Sequence, residues 1–170
     1  MPPRADAEHR AAAPKSIRCF VLTVSDTRTE VSDTSGRAIA DALTAAGHVV
    51  AGRAIVKDEP TRVREIVTEQ LANPDVQVVI TTGGTGITSR DSTYEAIAAL
   101  LEKRLDGFGE LFRMLSFEQI GAAAMMSRAC AGLAKGRIVV SLPGSENAVR
   151  LAMDRLLIPE LGHLVQQASR

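Results

Sequence analysis

Between residues 76 and 95 the chain passes directly from a buried strand to a helix start through a loop rich in glycine. Val76-Gln77-Val78-Val79-Ile80 is apolar and β-branched, the composition of a strand covered on both faces. It runs into Thr81-Thr82-Gly83-Gly84-Thr85-Gly86-Ile87-Thr88-Ser89-Arg90-Asp91. Ser92-Thr93-Tyr94-Glu95 then reads as a capping box that opens a helix. Glycine lets backbone N–H groups come close to a ligand, and a helix start adds unpaired donors and partial positive charge. Such a place suits a phosphate or another anion, and Asp91 is positioned to hold a cation beside it.

The same alternation governs the rest of the first half. Ile17 to Val24 reads as a buried strand, and Thr34 to Ala46 as a helix with Ile39, Ala42, Leu43 and Ala46 on one face and Gly47 as its stop. His48 to Val56 is a second strand, and Pro60 suits the first turn of a helix whose stripe is Val63, Ile66, Val67 and Leu71. After the glycine loop, Ile97, Leu100, Leu101 and Leu105 mark another helix. Strand-helix alternation predicts an α/β fold: three layers, α/β/α, around a mostly parallel sheet. The second half is less regular. Gly107 to Gly121 reads as short helices, Ser127 to Leu133 and Arg137 to Leu142 as a small β-hairpin, and Glu146 to Leu157 as a last helix.

A chain of 170 residues is one domain's worth and can bury a core without disulfides or metal. Its 20 basic and 20 acidic residues balance, which removes any general electrostatic pull toward nucleic acid or a membrane. One Tyr and no Trp leave little for stacking on bases. No apolar run reaches the length of a membrane span. Cys19 and Cys130 fall in apolar runs and read as free buried thiols of a cytoplasmic protein. The three histidines are too scattered to suggest a metal site. Met1 to Lys15 reads as a mobile tail, with the single folded domain spanning 16–170.

Four segments leave predicted strands with small or acidic residues: Ser25-Asp26, Lys57-Asp58, Gly83 to Gly86 with Asp91, and Pro143-Gly144-Ser145. In an open α/β sheet, ligands bind outside the C-terminal strand ends, so these segments are expected to meet on one rim. The glycine loop is neither a Walker A loop nor a GxGxxG fingerprint. Asp91 serves equally as a helix cap or as a cation ligand, and Asp58 as a helix starter or a metal acid. Pro143-Gly144-Ser145 is a helix N-cap or a second anion cradle. Glu110 reads as a first-turn charge, Arg113 and Arg128 as surface or ion-pair residues, and Asp26 and Asp33 as turn or cap residues.

Taken in order, Thr81-Thr82-Gly83-Gly84-Thr85-Gly86, Arg90 to Ala96, Gly107-Phe108-Gly109-Glu110 and Pro143-Gly144-Ser145 resemble the MoaB/MogA family of molybdenum cofactor biosynthesis proteins. Gly107 to Ile120 looks closest to the MoaB branch, and Tyr94 stands where many relatives have Pro. The resemblance implies a molybdopterin adenylyltransferase that uses Mg2+ and ATP to make adenylyl-molybdopterin and pyrophosphate. The alternative it leaves is a carrier or scaffold that binds molybdopterin without chemistry. It implies Asp58 and Asp91 as the catalytic, metal-binding acids, and Ser25, Asp26, Gly83, Gly84, Thr85, Gly86, Glu110, Pro143, Gly144 and Ser145 as binding residues. Assembly as a homotrimer or homohexamer, and a downstream molybdate-insertion protein as partner, are implied as well.

Overall fold

The computed structural model describes residues 10–170. Its strands are β1 (Arg18–Val24), β2 (Val49–Val56), β3 (Val78–Thr82), β4 (Lys103–Arg104), β5 (Cys130–Ala134) and β6 (Arg137–Leu142). They form one sheet in the order β2-β1-β3-β6-β5-β4. β2, β1, β3 and β6 are mutually parallel, while β5 runs antiparallel to β6 and β4 antiparallel to β5. The helices are α1 (Thr34–Ala45), α2 (Pro60–Ala72), α3 (Thr93–Ala98), α4 (Asp106–Ile120), α5 (Glu146–Ala152) and α6 (Ile158–Ala168).

Burial on both faces explains why β1, β3 and β6 read as continuous apolar runs rather than alternating ones. Ile17, Cys19, Val21, Ile80 and Val140 face one core with Ile39 and Leu43 of α1, Phe112 of α4 and Leu161 of α6. Phe20, Leu22, Val79 and Val139 face the other, against Val63 and Val67 of α2 and Ile97 of α3. Each fully buried Ile or Leu contributes about 1.5–3 kcal/mol by leaving water. The three-layer α/β/α expectation therefore holds, as does the hairpin: Lys135 and Gly136, at φ 49° and 71°, turn β5 into β6. Both cysteines are free and buried, and burial pushes the Cys19 thiol up to about 12.

The structure corrects the second half in three places. The short helices expected from Gly107 to Gly121 are one continuous helix, α4, which ends where Gly121 takes φ 65° and a 3-10 turn, Gly121–Met126, follows. Gly109 does not break it, because its missing side chain makes room for the Arg113 guanidinium on the next turn. The last helix does not stop at Leu157. It passes through a π turn, Met153–Leu157, into α6, and Pro159 is tolerated because it falls in the first turn of that segment. β4 was not expected: two exposed basic residues on an edge carry no apolar pattern.

The expectation of a mobile segment over 1–15 lies largely on residues 1–9, outside the described residues. Arg10 forms an ion pair with Glu160 of α6 at 2.6 Å. No helix among the described residues is long and apolar enough to cross a membrane.

Candidate active site at the strand ends

Because β2, β1, β3 and β6 are neighbours and parallel, their C-terminal ends lie along one rim. A cavity of about 480 Å3 opens there. Ser25 and Arg28 from beyond β1, Gly83 to Gly86 and Asp91 from beyond β3, and Pro143 and Gly144 from beyond β6 line it, joined by Ser127 and Met126 from the far side.

The glycine loop forms its floor. Gly83 donates its N–H to Leu142 O at 3.0 Å, and Thr93 donates back to Gly84 O at 3.1 Å, so both ends are pinned to regular structure. Between these ties, the amides of Gly84, Thr85, Gly86 and Ile87 donate no hydrogen bond among the described residues. Unpaired successive N–H groups in a concave wall are an anion nest.

Arg128, read from sequence as a surface ion-pair residue, does much of the orienting. It pairs with Glu95 and donates to Thr85 O at 3.2 Å and Gly86 O at 2.6 Å. A trans peptide sets C=O and the following N–H on opposite sides. Holding the Thr85 and Gly86 carbonyls on the Arg128 side therefore turns the Gly86 and Ile87 amides the other way. Nothing local in the sequence marks Arg128 for this role. Arg28 was also missed; it lines the cavity as a cation two residues beyond Ser25-Asp26.

Asp91 lines the cavity, and Asp58 lies directly behind the loop. A Cβ on Gly86 would stand 2.6 Å from Asp91 Oδ2, and one on Gly84 would stand 2.6 Å from Asp58 Oδ2. Asp91 caps no helix. Its Oδ2 accepts from Thr88 N at 2.9 Å and Thr88 Oγ1 at 2.6 Å, stapling the loop, while Oδ1 has no partner among the described residues. Asp58 is 7% exposed. It accepts from Ser92 Oγ at 2.6 Å, Ser92 N at 3.4 Å and Thr93 Oγ1 at 3.5 Å. The acids are thus linked through Ser92, the residue next to Asp91. This arrangement also dismantles the expected capping box: Ser92 holds the N-cap position with no side-chain cap bond, and Glu95 turns to Arg128. The Ser92 hydroxyl gains more from a buried carboxylate than from an exposed amide.

Not every expected site residue reaches the cavity. Ser145 caps α5, accepting from Ala148 N at 3.3 Å, while Pro143 and Gly144 remain in the wall. Glu110 is exposed on α4, away from it. Asp33 does line the cavity, where it is also the N-cap of α1 and accepts from Gly36 N at 2.9 Å. Asp26 grips Arg90 through both oxygens at 2.8–3.0 Å and accepts from the Asp58 amide at 3.1 Å.

Arg90 first, and that amide second, hold the Asp26 carboxyl below its ordinary 3.8. A depressed carboxylate contributes stability above its unfolded value and loses it as pH falls through the folded one. Arg90→Gln should therefore melt slightly below the wild-type protein near pH 6, with the gap closing as the pH falls below the ordinary carboxylate range and shrinking in salt. A gap that widens in acid would contradict the pairing.

Residues 20–163 match the family described as a probable molybdopterin binding domain. The chain belongs to the MoaB/MogA family of molybdenum cofactor biosynthesis proteins. Molybdenum cofactor biosynthesis protein B of Bacillus cereus is 51% identical over 164 residues, covering 96% of this chain and 97% of that one. Its Escherichia coli K12 counterpart is 45% identical over 144 residues, 85% of each. A crystal structure of a molybdenum cofactor biosynthesis protein B superposes with a TM-score of 0.89 at 50% identity, over 92% of this chain and 98% of that one. The tungsten cofactor synthesizing protein MoaB from Pyrococcus furiosus gives 0.81 at 40% identity, over 93% and 100%.

Proposed function

We propose that this protein transfers an adenylyl group from ATP to molybdopterin, releasing pyrophosphate. The observation that carries this reading is the run of three unpaired amides among the described residues, Gly84 to Gly86, in the wall of a cavity of about 480 Å3 that Asp91 and Arg28 also line. That volume falls in the range of small-molecule sites.

In the step, an oxygen of the molybdopterin phosphate attacks the α-phosphorus of ATP. A new P–O bond forms, the bond to the bridging oxygen breaks, and pyrophosphate leaves with that oxygen and its electron pair. Two polyanions must be brought together, so positioning and charge stabilisation supply most of the rate. The glycine-loop amides and Arg28 supply donors and charge for this without rearranging.

Mg2+ suits these residues as a hydrated ion held by few protein ligands. Asp91 has one oxygen without a partner, whereas Asp58 has both engaged, and no group of three or more His, Cys, Asp or Glu among the described residues is placed to hold a metal alone. Mg2+ is commonly bound through one or two carboxylates plus substrate phosphates. Asp91 would hold it, with Asp58 fixing the turn that presents Asp91; the ion would neutralise phosphate charge.

Incubation with molybdopterin and MgATP should yield pyrophosphate and adenylylated pterin in equal amounts. Pterin binding without pyrophosphate would leave a carrier, and no pterin binding would sink both readings. The same proposal includes self-association. Leu111, Met114, Phe117 and Ile120 of α4, with Met125, expose an apolar face that a second copy of the chain would cover, building toward a trimer or hexamer. A monomer mass by light scattering at micromolar concentration would refute it.

A further inference from the structure

Beside the strand-end cavity lies a second hollow of about 300 Å3, and the two share Ser127 in their walls. Three guanidiniums line it, those of Arg104, Arg113 and Arg128, against a single acid, Asp106. Two of them are spoken for. Arg128 is paired with Glu95 and the glycine-loop carbonyls. Arg104 lies 3.4 Å from Asp106 and donates to the Tyr94 hydroxyl at 2.8 Å. Both stand over the Tyr94 ring, at 5.7 Å for Arg104 and 5.0 Å for Arg128. The ring thereby keeps two like charges side by side.

Arg113 differs. It is half-buried and forms no ion pair among the described residues; Nη1 reaches only Ser127 O at 3.5 Å and Ala129 O at 3.4 Å. A guanidinium has five donors, and leaving them without an acceptor away from bulk water is costly. The fold makes room for it nonetheless: a Cβ on Gly109 would stand 2.8 Å from Arg113 Nη2. A second polar atom is also unmatched. The Ser127 hydroxyl, in the wall common to both cavities, is buried with no partner among the described residues. Positive charge and an unmatched hydroxyl together describe a place that an oxyanion completes.

We infer that this hollow is a second anion site, taking a phosphate group through Arg113, with Arg104 at its edge and the Ser127 hydroxyl at its junction with the main cavity. The inference rests on the adenylyl-transfer reading for which phosphate occupies it: the polyphosphate of ATP or the phosphate of molybdopterin. Either assignment fits the need to seat two polyanions, because the glycine-loop nest accommodates one and leaves the other without a counter-charge beyond Arg28. Arg128 touches both sites, so filling the hollow bears on the loop.

The test is calorimetric titration of the wild-type protein, Arg113→Gln, Arg113→Lys and Arg104→Gln with three probes separately: MgATP, molybdopterin and inorganic pyrophosphate. Arg113→Gln should weaken pyrophosphate binding by about tenfold, the scale of a lost charged hydrogen bond. Arg113→Lys should recover part of that loss, because charge remains while the planar fork is gone. A matching loss for MgATP alone places the nucleotide tail in the hollow; a loss for molybdopterin alone places the pterin phosphate there. Pyrophosphate affinity that depends on Arg113, with no binding of either substrate, keeps the anion site and ends the adenylyl-transfer reading. Unchanged affinity for all three probes overturns the inference. Should the Arg113 variants fail to fold, Arg104→Gln, altered at an exposed edge, decides: pyrophosphate affinity equal to wild type overturns it as well.

Discussion

Asp91→Asn should lower pyrophosphate release by at least about tenfold while leaving the fold intact. The amide is nearly isosteric with the carboxylate, and its oxygen can accept from Thr88 N and Thr88 Oγ1 just as Oδ2 does. The loop therefore keeps its staple. What disappears is the negative charge of a carboxylate that lines the cavity and whose Oδ1 has no partner among the described residues. An Mg2+ ligand is lost and the substrate phosphates are left less neutralised, so the loss falls on kcat more than on molybdopterin affinity. Two measurements check this: release rates under saturating substrate, and the melting temperature. Release near the wild-type rate would remove Asp91 from the chemistry. Asp58→Asn should behave differently. Its carboxylate is spent on Ser92 and Thr93, so weakening it should show first as a lower melting temperature.

Residues whose surroundings are decided locally were legible from the sequence, and residues whose partners are remote were not. Val78 to Thr82 is fully buried and could only be read as a central strand, which brought Gly83 to Gly86 to the rim at once. The convergence of Ser25, Asp58, Asp91 and Pro143 followed from parallel topology alone. Asp58 and Ser92, 34 positions apart, share a hydrogen bond that no local pattern announces, and the capping-box reading of Ser92 failed for that reason. Arg128 fails similarly: its carbonyl partners are 42 and 43 residues away. The continuity of α4 was hidden because glycine at 107 and 109 reads as a break, while the compensating neighbour of Gly109 is a side chain one helical turn on. The continuation past Leu157 was hidden too, because it depends on a π turn that places Pro159 in the first turn of α6, which no apolar spacing displays.

The second large effect is expected at Gly83, and it is one of stability. Gly83 has φ 101°, a region that side chains rarely enter, and a Cβ there would press into the carbonyl oxygen of Val24 at the end of β1. Backbone on a central strand cannot yield as a flexible side chain does. Gly83 is also the hinge between β3 and the loop: its N–H bonds Leu142 O, and a Cβ added at Gly144 would stand 3.4 Å from its Cα. Strain at positive φ and overpacking against fixed backbone together amount to about 3 kcal/mol. For a chain of this length that lowers the melting temperature by roughly 6–12 °C. Adenylyl transfer should fall with it, because moving Gly83 moves the amides beyond it. Gly107→Ala supplies the contrast. A Cβ at Gly107 meets nothing within 4 Å, and the residue lies in the first turn of α4. There the same methyl group should be neutral or stabilising by up to about 1 kcal/mol. If Gly83→Ala melts within about 2 °C of the wild-type protein, the close approach of β1 and the glycine loop is not as described.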